Sequence, residues 1–154
     1  MNGEGARIRR AQAGDRPAWA AMRRALWPDC GTSLARLQQL IEVPDNACFI
    51  ALDRQGQAMG LAAASLRRDH VNGTAGSPAG FLEGRSVRPP ARRQGTARRL
   101  VEAVARWTVA HGCRELASDA ALGDPRARAA HRACGFAGTE RVAYYRMAVG
   151  PEET

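Results

Sequence analysis

At 154 residues the chain is long enough for one hydrophobic core and short for two, so residues 1–154 are read as a single domain. No uninterrupted apolar run approaches the roughly 20 residues of a membrane span, and the opening MNGEGARIRR lacks the apolar centre of a signal peptide, so a cytoplasmic protein without a membrane partner is expected. A formal net charge of +8 invites a nucleic-acid partner, but every basic residue is arginine beside abundant alanine, a pairing that a GC-rich genome produces without functional demand.

Ala6–Arg10 reads as a first strand. GDRPAWAAMRRALWP follows as a helix, with Asp15 as cap, Pro17 in the opening turn, Trp19, Met22 and Leu26 at helical spacing, and Pro28 as terminator. A second helix, TSLARLQQLIEV, is capped by Thr32 or Ser33 and shows Leu34, Leu37, Leu40 and Ile41 on one face. CFIAL and AMGLAAASLR, joined around DRQG, predict an antiparallel hairpin. RDHVNGTAGSPAG reads as a loop and FLEGRSV as a strand stopped by Pro89-Pro90.

From Gly95 to about His111 the spacing predicts a helix with Ala97, Leu100, Val101, Val104 and Thr108 facing inward and Arg98, Arg99, Glu102 and Arg106 outward. GCRELAS is a predicted strand, DPRARAAHRAC a helix capped by Asp124 and closed by Gly135, and ERVAYYRMAV a last strand. The order predicts an α/β (α+β) fold: a mixed central sheet flanked by helices on both faces. Cys30, Cys48, Cys113 and Cys134 are scattered, with no CxxC pair and no His at ligand spacing, so free thiols and no metal are expected.

The stretch RRQGTARRL, between a strand and a helix, puts unpaired backbone N–H groups at a helix N-terminus, where the dipole favours an anion and glycine permits close approach. It is neither a GxxxxGK[ST] loop nor a GxGxxG fingerprint. A pyrophosphate fits such a loop. Arg92-x-x-Gly95-x-Ala97 resembles the acetyl-CoA loop, [Q/R]xxGx[G/A], of the GNAT N-acetyltransferase superfamily. LWP, RDHVNG, FLEG, GCRELASD, HRACGF and ERVAYYR, spread from Ile8 to Arg146, further resemble the aminoglycoside 6'-N-acetyltransferases.

That resemblance implies the GNAT fold and direct transfer of acetyl from acetyl-CoA to the 6'-amine of an aminoglycoside antibiotic in a ternary complex, conferring resistance. It implies cofactor contacts from Arg92, Arg93, Gln94, Gly95, Thr96, Ala97 and Arg98, with the Arg85, Ser86 and Val87 segment giving a backbone N–H to the thioester oxygen. Asp124 stands where an asparagine touching the pantetheine arm is expected, and serves equally as a helix cap. Trp27 stacks on an aminosugar ring or belongs to the core. His70 occupies a place where relatives often carry tyrosine and bears on drug range.

An aminoglycoside is a polycation, so its site must be acidic. Glu83, Asp119 and Glu140 lie at strand ends flanking the cofactor segment, each open also to a salt bridge with a neighbouring arginine. A carboxylate about 4 Å from an ammonium gains roughly 4 kcal/mol at an effective dielectric of ~20 before desolvation. The amine must lose a proton before it attacks, which points to Glu83, through water, or Asp119 as the base, with Asp119 orienting the sugar. Tyr145, with Tyr144 beside it, is the expected proton donor to the thiolate. A homodimer paired through the last strand is expected. Acetylation of another small amine or a protein N-terminus shares all of this but the acceptor pocket. A nucleic-acid module lacks the aromatic platform it needs.

Overall fold

The computed structural model describes residues 6–26, 34–69, 71, 74–88, 95–120, 123–143 and 145–151. β1 (Arg7–Arg10) leads through a 3-10 turn (Ala13–Asp15) into α1 (Arg16–Leu26). Asp15, expected to cap α1, instead closes the turn. Its carboxylate accepts the Gln12 N–H at 2.7 Å and two guanidinium hydrogen bonds from Arg9 at 2.8 and 2.9 Å. That fork holds the Asp15 carboxyl below the usual carboxylate range.

After α2 (Leu34–Glu42) come β2 (Asn46–Leu52) and β3 (Ala58–Arg67), joined as predicted by a hairpin in which Asp53 Oδ1 accepts the N–H groups of Gln55 and Gln57. β4 (Ala79–Val87), α3 (Thr96–Ala110), β5 (Leu116–Ala117) and α4 (Pro125–Ala133) follow, and complete the regular elements among the described residues. The sheet order is β1-β2-β3-β4-β5, antiparallel through β4; β5 joins parallel because α3 carries the chain back across the sheet.

The period-two pattern of β2 and β3 has apolar residues on both faces, since each face is covered. Cys48, Ile50, Leu52, Leu61 and Ala63 pack with Trp19, Met22, Leu37 and Leu40 of α1 and α2. On the other side Ala47, Ala51, Ala62, Ala64 and Leu82 pack with Leu100, Val101, Val104 and Trp107 of α3. Burying a Leu or Val of this kind contributes about 1.5–3 kcal/mol. The alanines let α3 lie close. At Gly80 the approach is closest: an added Cβ would fall 2.5 Å from Thr108 Oγ1 and 2.7 Å from its Cγ2.

The inward face of α3 follows the predicted row for Leu100, Val101, Val104 and Thr108, but Thr96 is buried where Ala97 was expected to be, and Ala97 is half-buried. Two predicted strands are corrected. GCRELAS contributes only Leu116 and Ala117 to the sheet, and ERVAYYRMAV forms no strand among the described residues. Its alternating apolar side chains stand in solvent, with Tyr145 93%, Met147 83% and Val149 86% exposed. A lone strand has no ladder to satisfy its backbone, and this segment lies on no edge of its own sheet.

Part of the charge that suggested nucleic acid is engaged within the fold. Arg9 pairs with Asp15, Arg36 with Glu83 and Arg68 with Asp45, while Arg10, Arg23 and Arg67 lie over the rings of Phe49, Trp19 and Phe81.

Candidate active site

The sheet forks between β4 and β5. Their parallel pairing runs only through Gly80–Leu116 and Phe81–Ala117 and then stops. At Leu82, the first unpaired position, the carbonyl accepts a hydrogen bond from the Ser118 hydroxyl at 3.2 Å instead of a backbone N–H. On the other edge of β4 the register with β3 slips at the same level: Ala63 pairs with Gly84 and Ala64 with Leu82, so Glu83 is the extra residue of a bulge. A bulge of this kind re-aims a side chain and increases local twist. Beyond it, β4 has no strand paired on its β5 side among the described residues. On the β5 side the splay begins at Leu82, three residues before the expected Arg85, Ser86 and Val87 segment, and these three remain paired with Ala62, Leu61 and Gly60 on the β3 side.

Glu83 is directed toward α2, where its carboxylate is hydrogen-bonded to the Arg36 guanidinium; Arg36 also donates to Gln39 Oε1 at 3.1 Å. Three-quarters of each side chain in this ion pair is buried. The pairing with an arginine that the sequence reading kept open is what the structure contains. Its partner lies 47 positions away rather than next door.

Asp119 and Glu140 come together in a different place. Both are exposed and line a cavity of about 560 Å³ bounded by β5, α4 and the segment after Gly135, together with Glu115, Arg128, Arg132 and Arg141. Three acids and three arginines share its wall, and Glu83 is not part of it. Glu115 also holds the preceding loop by accepting the N–H groups of Ala75 and Gly76 at 2.9 and 3.1 Å.

On the cofactor side, Gly95 is the N-cap of α3 with φ +79°, and nothing lies within 4 Å of a Cβ built there. Only glycine adopts this left-handed turn at little cost, and the helix it starts has no acidic residue in its first turn. A diphosphate fits such a cradle. Arg92, Arg93 and Gln94 lie outside the described residues, as do Trp27, His70 and Tyr144.

Two arginines expected at the cofactor segment have side chains that brace α4. Arg98 donates to the Ala133 carbonyl at 3.0 Å, where a cation complements a helix C-terminus, and Arg85 Nη1 lies 2.8 Å from Cys134 Sγ. Asp124 is the cap of α4, accepting the Ala127 N–H at 3.1 Å with Pro125 in the first turn. Thr96 is buried, and Tyr145 stands in solvent. Among the described residues no cluster of three or more His, Cys, Asp or Glu could hold a metal ion, and no helix is long and apolar enough to cross a membrane.

The sequence reading missed three residues here: Arg36, Ser118 and His131. Ser118 Oγ lies 2.9 Å from His131 Nε2, and His131 Nδ1 lies 2.7 Å from the Ala127 carbonyl. The local signal was His131 one helical turn after Ala127; the pairing with Ser118 depends on how α4 packs and has no sequence mark.

A five-stranded mixed sheet that forks after β4, a bulge at the fork and a glycine-capped helix behind it define an acyl-CoA-dependent transferase. The chain belongs to the acetyltransferase (GNAT) family, whose profile it matches over residues 14–136. It is 49% identical over 144 residues to the aminoglycoside N(6')-acetyltransferase type 1 of Stenotrophomonas maltophilia, covering 94% of each chain. Its fold is similar to the crystal structure of the aminoglycoside 6'-N-acetyltransferase AAC(6')-Ih from Acinetobacter baumannii, with TM-score 0.89, 39% identity and coverage of 95% and 100% of the two chains. It is also similar to AAC(6')-Iy in complex with the bisubstrate analog CoA-S-monomethyl-acetylneamine, with TM-score 0.86, 39% identity and coverage of 93% and 98%.

Proposed function

We propose that this chain is an aminoglycoside 6'-N-acetyltransferase that uses acetyl-CoA and acts in the cytoplasm, inactivating drugs such as kanamycin and tobramycin. The observation that carries the reading is likeness along nearly the whole length of both chains to an enzyme named for that reaction. A merely shared cofactor segment would leave the acceptor half of the fold dissimilar.

Acetyl-CoA, when bound, supplies an activated acetyl carbonyl and a thiolate leaving group. Gly95, Thr96 and Ala97 at the N-terminus of α3, with Arg92, Arg93 and Gln94 before them in sequence, would hold its diphosphate. The edge of β4 beyond the bulge, at Arg85 and Ser86, would offer a backbone N–H to the carbonyl oxygen as charge develops on it. Glu83, released from Arg36 or working through water, takes the proton from the attacking amine. Asp119 and Glu140 receive the drug's ammonium groups in the cavity beside β5, with Trp27 and His70 completing the acceptor side.

The enzyme is a homodimer in this reading. Alternating exposed apolar residues from Tyr145 to Val149 and a two-residue edge strand are complementary halves of a strand pairing that a second copy supplies.

The test is an acceptor screen with acetyl-CoA and free-thiol detection. Turnover of kanamycin and tobramycin, and none of an analogue lacking the 6'-amine, is expected; turnover only of peptides or spermidine sinks the assignment. Glu83→Gln and Asp119→Asn should each slow the reaction by about 10²-fold or more, and near-normal rates in both would remove these residues from the mechanism.

A further inference from the structure

Ser118 and His131 meet at the apex of the fork, and no role above uses them. The Ala127 carbonyl only accepts, so His131 Nδ1 carries a hydrogen. Ser118 Oγ contacts both Leu82 O and His131 Nε2, and its single hydrogen cannot serve both. All three contacts are satisfied together only when Nε2 also carries a hydrogen and donates it to Ser118, whose own hydrogen then points to Leu82 O. When Nε2 is bare, the hydroxyl turns to it and leaves Leu82 O. The pair is a two-position proton wire, half-buried, with its ring edge against Phe136 and one end open to the cavity beside β5.

Its place gives it a use. The Ser118 hydroxyl occupies the first rung where β4 and β5 part, which is where the fork admits a ligand between the strands. We propose that Ser118 is the group that protonates the departing thiolate and that His131 is the positioning residue that refills it. The inference rests on the acetyl-transfer reading. As the nitrogen–carbon bond forms and the carbon–sulfur bond breaks, Ser118 gives its hydroxyl hydrogen to sulfur and takes the Nε2 hydrogen of His131. His131 regains a proton from solvent in the cavity, replacing the one the amine has released, so the sum is amine plus thioester giving amide plus thiol. The charged groups facing this wire are Glu115, Asp119 and Glu140 against Arg128, Arg132 and Arg141, which balance in number. On β4, Arg85 is turned to Cys134.

The experiment compares the parent with Ser118→Ala, His131→Gln and Tyr145→Phe in kinetics, and the parent with Ser118→Ala in long-range proton–nitrogen NMR of the free protein. Ser118→Ala is expected to lose about 10²-fold in kcat with both KM values held within about threefold. His131→Gln, which cannot refill the hydroxyl, is expected to lose kcat in the same way with both KM values held within about threefold. Without any ligand, the Nε2 resonance of neutral His131 should move in Ser118→Ala as its hydrogen-bond donor is removed.

Ser118→Ala removes one oxygen atom and carries the test with the NMR shift if His131→Gln does not fold. A kcat within about threefold of the parent in Ser118→Ala or in a folded His131→Gln, or an unmoved Nε2 resonance, would each overturn the proposal. So would a large loss in Tyr145→Phe beside a near-normal Ser118→Ala, which would give the proton to Tyr145. If the parent acetylates no amine at all, the failure lies with the proposed function, and the NMR shift still reports on the wire.

Discussion

Replacing Gly80 with alanine tests how tightly α3 is set against the sheet. The new methyl would lie 2.5 Å from Thr108 Oγ1, 2.7 Å from Thr108 Cγ2 and 3.2 Å from Leu116 Cδ1. Thr108 cannot easily turn away, because it is 2% exposed and its hydroxyl donates to the Val104 carbonyl at 2.8 Å. Relief therefore requires α3 to lift by about an ångström or Thr108 to lose its bond, and overpacking of this kind costs about 1–3 kcal/mol. Part of that is offset by about 0.4–1 kcal/mol from the stiffer unfolded chain. The net loss of about 1–2 kcal/mol corresponds to a melting temperature lower by roughly 2–8 °C in a chain of this size. Because α3 carries Gly95 at its start, KM for acetyl-CoA should rise as well. The assay is a thermal melt of a double-mutant cycle: Thr108→Ala removes both clashing atoms, so alanine at position 80 should cost little in that background. A Gly80→Ala protein that melts with the parent, or one whose loss persists with Thr108→Ala, would refute the packing argument.

Further outcomes follow from single sites. Gly95→Ala places a side chain in the left-handed region with open space around it, so its cost is conformational, about 1–2 kcal/mol; the acetyl-CoA Kd by calorimetry should rise by up to about 5–30-fold, and less in Gly95→Asn, with equal affinities for all three contradicting the assignment. Asp15→Asn removes a carboxylate that Arg9 holds below its ordinary range, so the stability it contributes, about 1–2 kcal/mol, is present above ordinary carboxylate pKa values and lost as pH falls through the lowered one. The melting gap between parent and Asp15→Asn should accordingly close in acid, and a gap that widens there would be wrong-signed. Burial pushes the Cys48 thiol up to about 12, so alkylation at pH 8 followed by peptide mass spectrometry should label half-buried Cys134 well before Cys48; equal rates would contradict the burial.

Local pattern made much of this fold legible. Helical spacing in α1, α2 and α3 and the strand–turn–strand signal of β2 and β3 depend on residues close in sequence, and the structure keeps them. Gly95 was readable because a left-handed N-cap before an amphipathic helix has a local signature. What was not legible depends on distant packing. ERVAYYRMAV has a strand's periodicity, but a strand exists only with a neighbour, and periodicity is silent on whether that neighbour belongs to the same chain. Glu83 was chosen for its place before the cofactor loop; that it sits on a bulge and meets Arg36 follows from how β3 and α2 align. The Ser118–His131 contact spans 13 positions and two elements, and nothing in ELASD or ARAAHRAC announces it.

The most direct measurement is the regiochemistry of the product. The purified chain, incubated with isotope-labelled acetyl-CoA and tobramycin, should yield a monoacetylated drug whose label sits on the 6'-nitrogen by NMR. Label on another nitrogen, or none on the drug while the thioester is intact, contradicts the account.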